Sequence, residues 1–415
     1  MKTIKKTLAV LLSVLLLVAA LIPSVFAAID DSQMTLNRIV SQQEYTLIGG
    51  VTQREIIVNN AKGDHRNEVF VMEVDLSNPD VFIVAGYNDG TADSWAKVPV
   101  RNHAEGAERV LGTNVVGAIN ADFHNQETGE PRGVMVMNSV LVHASNGSPY
   151  FAILNDGTAV IRRGNVSTDD VKEAVAGNNI LVSGGKNVAP ANKLNPRTAV
   201  GIKADGTVVM FVVDGRQDPT SCGMDYPEVA EMMIALGCVD ALELDGGGSS
   251  TMLAQHEGMS SLDCRNSPSY GYERKVSNSL LVCTNLQPTG EFDHVKFSSN
   301  NYRVAPVSNL TISVKGIDAN GYATDLPAGG QLVMQETELA TFDGKTLTAG
   351  ADEGFVTIDY VVDGVVLATT TVEITQDENN AIEAFFQKII DFFNKIINTF
   401  KLLIDKFDEK ILSKI

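Results

Sequence analysis

Positive charge is scarce in this chain. Its 415 residues hold 32 Lys and Arg against 51 Asp and Glu, a formal net charge of −19. Such a protein lacks the clustered cations that bind nucleic-acid phosphates without regard to sequence, so a nucleic-acid partner is excluded. Histidine is equally sparse, with 6 residues and none at HExxH or HxxxH spacing. That removes the usual helical zinc-hydrolase pattern. The 4 cysteines, Cys222, Cys238, Cys264 and Cys283, contain no CxxC pair, which argues against a zinc site. Apart from one N-terminal stretch there is no long apolar run, so the chain is not a polytopic membrane protein. No glycine-rich segment leads into GK[ST] or forms GxSxG, which sets aside a P-loop and a nucleophile elbow.

The two ends differ from the rest. Lys2, Lys5 and Lys6 precede an apolar run from Leu8 to Ile22, followed by Pro23 and Val25-Phe26-Ala27. A basic start, a short apolar core and a small-residue site describe a secretory signal peptide over 1–27. The run is short for a span of ~20 residues, so cleavage is favoured over an anchor. No Cys stands at the cut, so a lipoprotein is not expected. The reading is an exported bacterial protein, secreted or associated with the cell surface. In an oxidising compartment the four Cys allow three pairings, and small buried thiols are the alternative. At the other end, residues 377–415 form an expected amphipathic helical tail. Ile382, Phe385, Phe386, Ile389 and Ile390 begin a stripe at steps of three and four that continues to Ile411. Through 381–415 such a tail suits a membrane surface or helix pairing.

Between the ends, 28–64 reads as an N-terminal lead-in segment and 65–286 as the main domain. Alternation marks strands near 68–75, 81–84, 115–119, 134–137, 150–154, 208–213 and 239–244. Helices are expected from Pro99 to Leu111 and from Pro227 to Leu236, the latter ended by Gly237. The fold class expected is α+β, with a mixed β-sheet and few helices. From 287 to 376 the helical spacing vanishes and short alternating strands recur, as in a small β-sandwich. That segment resembles the bacterial Ig-like domains appended to secreted proteins, notably in Val314-Lys315-Gly316-Ile317-Asp318-Ala319-Asn320-Gly321.

The chemistry concentrates in Leu242-Glu243-Leu244-Asp245-Gly246-Gly247-Gly248-Ser249-Ser250-Thr251. Alternation puts Glu243 and Asp245 on one face of a strand. Three glycines then leave backbone N–H groups open to an anion, and three hydroxyls follow. A flexible turn is the bland alternative, made weaker by the carboxylate and hydroxyls beside it. Asn195-Pro196-Arg197-Thr198, Asp214-Gly215-Arg216 and Asn266-Ser267-Pro268 through Glu273-Arg274 to Asn278 each flank an expected strand. Arg197, Arg216 and Arg274 offer forks for phosphate, and Asp214, Asp245 and Glu273 offer acids. Structural salt bridges would account for any one of these arginines alone. Together the inventory suits a phosphorylated sugar.

In this order the segments resemble the phosphodiester glycosidase family: NPRTAVG, a DGR after a strand, a helix, LDGGGSST, then an N-x-P-x-x-G-x-E-R-x-V-x-N tail. Asn120-Ala121-Asp122-Phe123 stands beside the family's N-G-D-F, and the likeness covers roughly 65–285. Tyr270 occupies a position where the family pattern carries Asp, Ala121 replaces Gly, and His124 follows Phe123 where an aromatic is common. The resemblance implies hydrolysis of a sugar-1-phosphodiester at the sugar side, on bacterial surface or exopolysaccharide glycans. Glycoside hydrolysis uses two carboxylates about an oxocarbenium-like centre. Asp245 is the expected nucleophile or base, with Asp214 or Glu273 as second acid. Asn195, Arg197, Arg216, Gly246, Gly247, Gly248, Ser249, Ser250 and Arg274 are expected to hold the phosphate. Asn120, Asp122, Asn266 and Asn278 are expected to orient the sugar or support the loops. Asp122, Asp214 and Asp245 are hard oxygen donors that would suit calcium. The alternative reading is a non-catalytic glycan-binding surface protein on the same fold.

Overall fold

The computed structural model describes residue 29, 31–63, 65–88, 95–299 and 301–376. The signal peptide and the amphipathic tail lie outside the described residues. The described part is mostly β, with two helices longer than a single turn: α1 (Val100–Leu111) and α2 (Tyr226–Ala235).

The largest sheet has eight strands. In spatial order these are Asn37–Thr46, Thr52–Asn60, Arg66–Val74, Val208–Val213, Arg197–Lys203, Cys238–Glu243, Ile180–Ser183 and Lys186–Asn187. A second sheet runs Asp263–Cys264, Met252–Ala254, Asn114–Asn120, Asn278–Thr284, Val81–Tyr87. A third runs Val140–His143, Met135–Met137, Val171–Ala176, Pro149–Leu154, Ala159–Arg163.

The expected mixed sheet is corrected here, because every ladder in these three sheets is antiparallel. Parallel neighbours need long crossovers, whereas tight turns can join antiparallel ones. Arg197–Lys203 returns as Val208–Val213 through Asp205-Gly206, with Gly206 at φ 92° and Asp205 Oδ1 accepting the Thr207 amide at 3.0 Å. The lead-in segment also differs from its reading. Within it, Asn37–Thr46 and Thr52–Asn60 form a hairpin, and the second strand pairs with Arg66–Val74. Ile56 and Val58 alternate inward from that hairpin and are buried.

Both faces of the eight-stranded sheet are covered. One face carries Val71, Val209, Phe211 and Val213 against Val229, Met232 and Met233 of α2. The other carries Met72, Val200, Met210 and Leu242 into a core shared with Ile83, Ile119 and Leu280 of the second sheet and Met135 and Phe151 of the third. Helix α1 closes the far side of the second sheet through Val100, Ala104 and Ala107, against Val84, Ala118 and Leu281.

Each helix is delimited as its sequence suggests. Asp225 and Glu228 form a reciprocal capping box at the start of α2, with Pro227 in its first turn. Gly112, at φ 66°, ends α1 by donating to the Glu108 carbonyl.

Residues 292–374 form three small sheets around a separate core that includes Phe297, Ile312, Leu347, Ile358 and Val372. One pair there, Tyr302–Val304 with Val372–Ile374, is parallel. This module is docked on the main domain. The Gly49 amide donates to Asn320 O at 3.1 Å, Lys315 Nζ to Gly258 O at 2.8 Å, and Tyr322 Oη to Leu286 O at 2.8 Å.

Candidate active site

Two strands from different sheets end side by side. Cys238–Glu243 of the large sheet runs into Asp245, and Asn114–Asn120 of the second sheet runs into Asp122. The Asp245 amide donates to Ala121 O at 2.8 Å, so the two chain ends are stitched directly.

Asn120 is fully buried and holds the seam. Its Nδ2 donates to Asp245 O at 2.6 Å, and its Oδ1 accepts the Thr251 amide at 3.1 Å and the Thr198 hydroxyl at 2.9 Å. Asn278, also fully buried, does the same for Asp122. Its Oδ1 accepts the Asp122 amide at 2.7 Å and its carbonyl accepts the Ala121 amide at 3.1 Å. Both asparagines therefore tie down the backbone that carries the two aspartates.

The carboxylates occupy distinct environments. Asp122 is buried, with Oδ2 accepting the Gly133 amide at 2.9 Å. Burial raises its pKa well above the ordinary range, and the nearby Asp245 charge adds to that rise. Asp245 keeps a side-chain exposure of 15%. Burial pushes its pKa up to about 6, against the Ser249 hydroxyl and the cationic Arg274 and Arg132, which work in the opposite direction. His124 stands against this pair, with Nδ1 3.9 Å from Asp245 Oδ2 and the side chain wholly buried. Burial and the surrounding cations hold its pKa down to about 4, so it is neutral at physiological pH.

The glycine-rich turn follows. Gly247–Ser249 make a short 3-10 turn with Gly247 at φ 63°. The Gly247 amide is tied to Pro196 O at 2.8 Å. Among the described residues, no protein acceptor takes the amides of Gly246 or Gly248. Arg216 reaches the turn, its Nη2 standing 3.0 Å from where a Cβ on Gly247 would lie. Its Nε and Nη2 are held by Asn195 Oδ1 at 3.2 and 2.9 Å. Arg274 is half-buried and donates to Gln126 Oε1.

Other expected residues serve the frame. Asp214 is buried and its pKa is raised to about 6 by burial. Its oxygens accept Asn266 Nδ2 at 2.8 Å and the Ser267 amide at 2.7 Å. Asn266 Nδ2 also reaches Ser250 O at 3.1 Å, and its Oδ1 accepts the Met252 amide at 2.8 Å. Asp214 thus braces the turn from behind. Glu273 is bound by Arg101 of α1, at 3.2 Å from Nε and 2.8 Å from Nη2. Arg197 donates to the carbonyls of Met224 (3.0 Å) and Lys193 and lies 4.2 Å over the Tyr226 ring.

No group of three or more His, Cys, Asp or Glu among the described residues is placed to hold a metal ion. Of the three carboxylates expected to suit calcium, Asp214 has its oxygens taken by the protein's own amides. Cys238, Cys264 and Cys283 are free thiols, with Cys238 and Cys283 buried.

Sequence reasoning placed no role on Tyr226, Asn179 or His124. Glu243 accepts from the Tyr226 hydroxyl and from Asn179 Nδ2 at 2.6 Å. Strand alternation had marked Glu243 as a neighbour of Asp245. Nothing local announces its partners, 17 and 64 residues away in the chain.

A seam between two antiparallel sheets thus presents paired carboxylates of raised pKa, open backbone amides and arginines. Residues 113–283 match the family model for phosphodiester glycosidase. Mouse N-acetylglucosamine-1-phosphodiester alpha-N-acetylglucosaminidase is 30% identical over 164 residues, 33% of this chain and 31% of that protein. A Bacillus subtilis (strain 168) prophage-derived uncharacterized protein, YomE, is 35% identical over 94 residues, 23% of this chain and 14% of that protein. The chain therefore spans less than a third of the length of either relative. Among solved structures, the zebrafish N-acetylglucosamine-1-phosphodiester alpha-N-acetylglucosaminidase catalytic domain, auto-inhibited by its pro-peptide, aligns at a TM-score of 0.46 and 20% identity. That alignment covers 61% of this chain and 89% of that one. No described helix is long and apolar enough to cross a membrane.

Proposed function

We propose that this protein is an exported hydrolase that cleaves a sugar-1-phosphodiester at the sugar side, releasing a free sugar and a phosphomonoester. The substrate class we assign is a GlcNAc-1-phosphodiester-like linkage in a bacterial surface or exopolysaccharide glycan. The observation that carries the reading is the pair Asp245 and Asp122, stitched together at the sheet seam with unequal burial. Groups whose environments push their pKa values apart divide acid and base work between them. Asp245, ionised above pH about 6, acts at C1 as nucleophile or as base toward water. Asp122, whose pKa burial raises well above the ordinary range, stands beside it.

The bond broken is C1–O. Water supplies the hydroxyl that C1 gains and a proton that Asp245 takes up. A phosphate leaving group is a weak base and needs charge stabilisation more than protonation. Arg216, Arg274 and the amides of Gly246 and Gly248 supply it. The module at 287–376 serves as an Ig-like spacer, and 381–415 attaches the protein to a surface or to another helix.

The test is release of free sugar from an N-acetylglucosamine-α-1-phosphodiester, with Asp245→Asn alongside. Release by the parent protein and its loss in a folded variant is the expected result. No release from any of a panel of sugar-1-phosphodiesters would overturn it in favour of the glycan-binding alternative, for which Tyr270 in place of the family's Asp is the favouring observation.

A further inference from the structure

Tyr270 and Tyr272 are 54% and 66% exposed, whereas the next most exposed aromatic residue among the described ones, Phe292, is at 36%. Their rings stack on each other, with centroids 6.2 Å apart and planes at 25°. The pair abuts the glycine-rich turn. A Cβ on Gly248 would meet Tyr270 Cε2 at 2.1 Å, so that ring lies against the Gly248 backbone, three residues past Asp245.

The supporting loop is fastened at several points. The Ser267 amide is held by Asp214 at 2.7 Å, Ser267 O by Gln217 Nε2 at 2.6 Å, and the Gly271 amide by Pro268 O at 2.7 Å. The rings are therefore displayed on a rigid base, and their outer surface contributes nothing to a core. Exposed apolar area beside a polar cleft marks a binding surface. Tyr supplies flat contact area with a hydroxyl handle at low entropic cost.

We propose that Tyr270 and Tyr272 form a stacking subsite that grips a pyranose ring on the aglycone side of the phosphate. The inference rests on the reading of Asp245 given above. A pyranose presents a face of weakly positive C–H groups that packs on the negative face of an aromatic ring, while its hydroxyls reach the phenols. With the sugar at Asp245 and the phosphate at the glycine-rich turn, the group beyond the phosphate meets Tyr270 first and Tyr272 next.

The experiment compares two substrates, the methyl ester of N-acetylglucosamine-α-1-phosphate and the same phosphate esterified to a disaccharide. Tyr272→Ala should raise KM for the disaccharide substrate about tenfold, the size of a lost aromatic contact. It should leave kcat and the methyl ester unchanged, and Tyr272→Phe should restore most of the affinity. Equal effects on both substrates, or none on either, would overturn the proposal. Should the parent protein cleave neither, the Asp245 reading fails. The subsite is then judged by calorimetry with the disaccharide phosphate ester. Binding that Tyr272→Ala weakens supports it, and binding that is absent or indifferent to the variant overturns it.

Discussion

Asn120→Ala separates a residue that touches substrate from one that holds the protein together. The side chain is fully buried and makes three hydrogen bonds across the seam. Truncation leaves the Thr251 amide, itself fully buried, and the Asp245 carbonyl without partners. The Thr198 hydroxyl keeps the Ser250 hydroxyl at 3.2 Å. Each buried polar group left unsatisfied costs about 1–3 kcal/mol. The Asp245 carbonyl adjoins a partly open turn that water can enter, so the lower half of its range applies. The expected loss is about 2–5 kcal/mol, a large share of a typical stability of about 5–15 kcal/mol. Urea unfolding should show a lower midpoint at unchanged slope. Because the same bonds place Asp245, turnover should fall in parallel, mainly in kcat. Thr198→Val should cost less, since only one bond to Asn120 is lost. A loss below about 1 kcal/mol for Asn120→Ala, with KM rather than kcat affected, would refute the bracing role and return Asn120 to substrate contact.

Asp245 should make the protein less stable as pH rises. Its pKa goes from 3.8 to about 6 on folding, so the native state binds more protons between those values and stability falls across that window. At about 1.36 kcal/mol per unit, Asp245→Asn should be more stable than the parent by about 3 kcal/mol at pH 7, and the two should converge below pH 4. Thermal melts across pH check this, and a constant difference would refute it. Activity should rise with an acidic limb near pH 6 as Asp245 ionises, which a pH profile of kcat/KM reads. Gly248→Ala should drive Tyr270 off the turn and cut activity, because the added Cβ comes within 2.1 Å of the ring. Adding Tyr270→Ala should recover turnover on the methyl ester substrate, and no recovery would place the damage in the turn itself.

The hairpin at Asp205-Gly206, helix α2 between Asp225 and Gly237, and the strand leading into Asp245 were all legible locally. Each depends on neighbours within a few residues, such as a capping box, a positive-φ glycine or a run of alternating apolar side chains. The composition of the Asp245 turn was legible for the same reason. What local pattern could not supply was the partner of each strand. Ladder direction and the incorporation of residues 37–60 follow from long-range pairing, which alternation alone does not specify.

The same limit governed the site. The segments around residues 120, 197, 214, 245 and 266 stand out in the sequence and meet in the structure, but their roles depend on which polar atoms meet. Asp214 and Asp245 are equivalent on paper. Tertiary contacts give the Asp214 oxygens to Asn266 and Ser267 and leave Asp245 partly open beside Asp122 and His124. Glu273 likewise takes its partner from Arg101, 172 residues away. Residue type and order alone determined which carboxylates, arginines and glycines this protein can bring to a site. Only the meeting of two sheet edges decided which carboxylates stay available, because a buried polar group must find a partner and the fold chooses it.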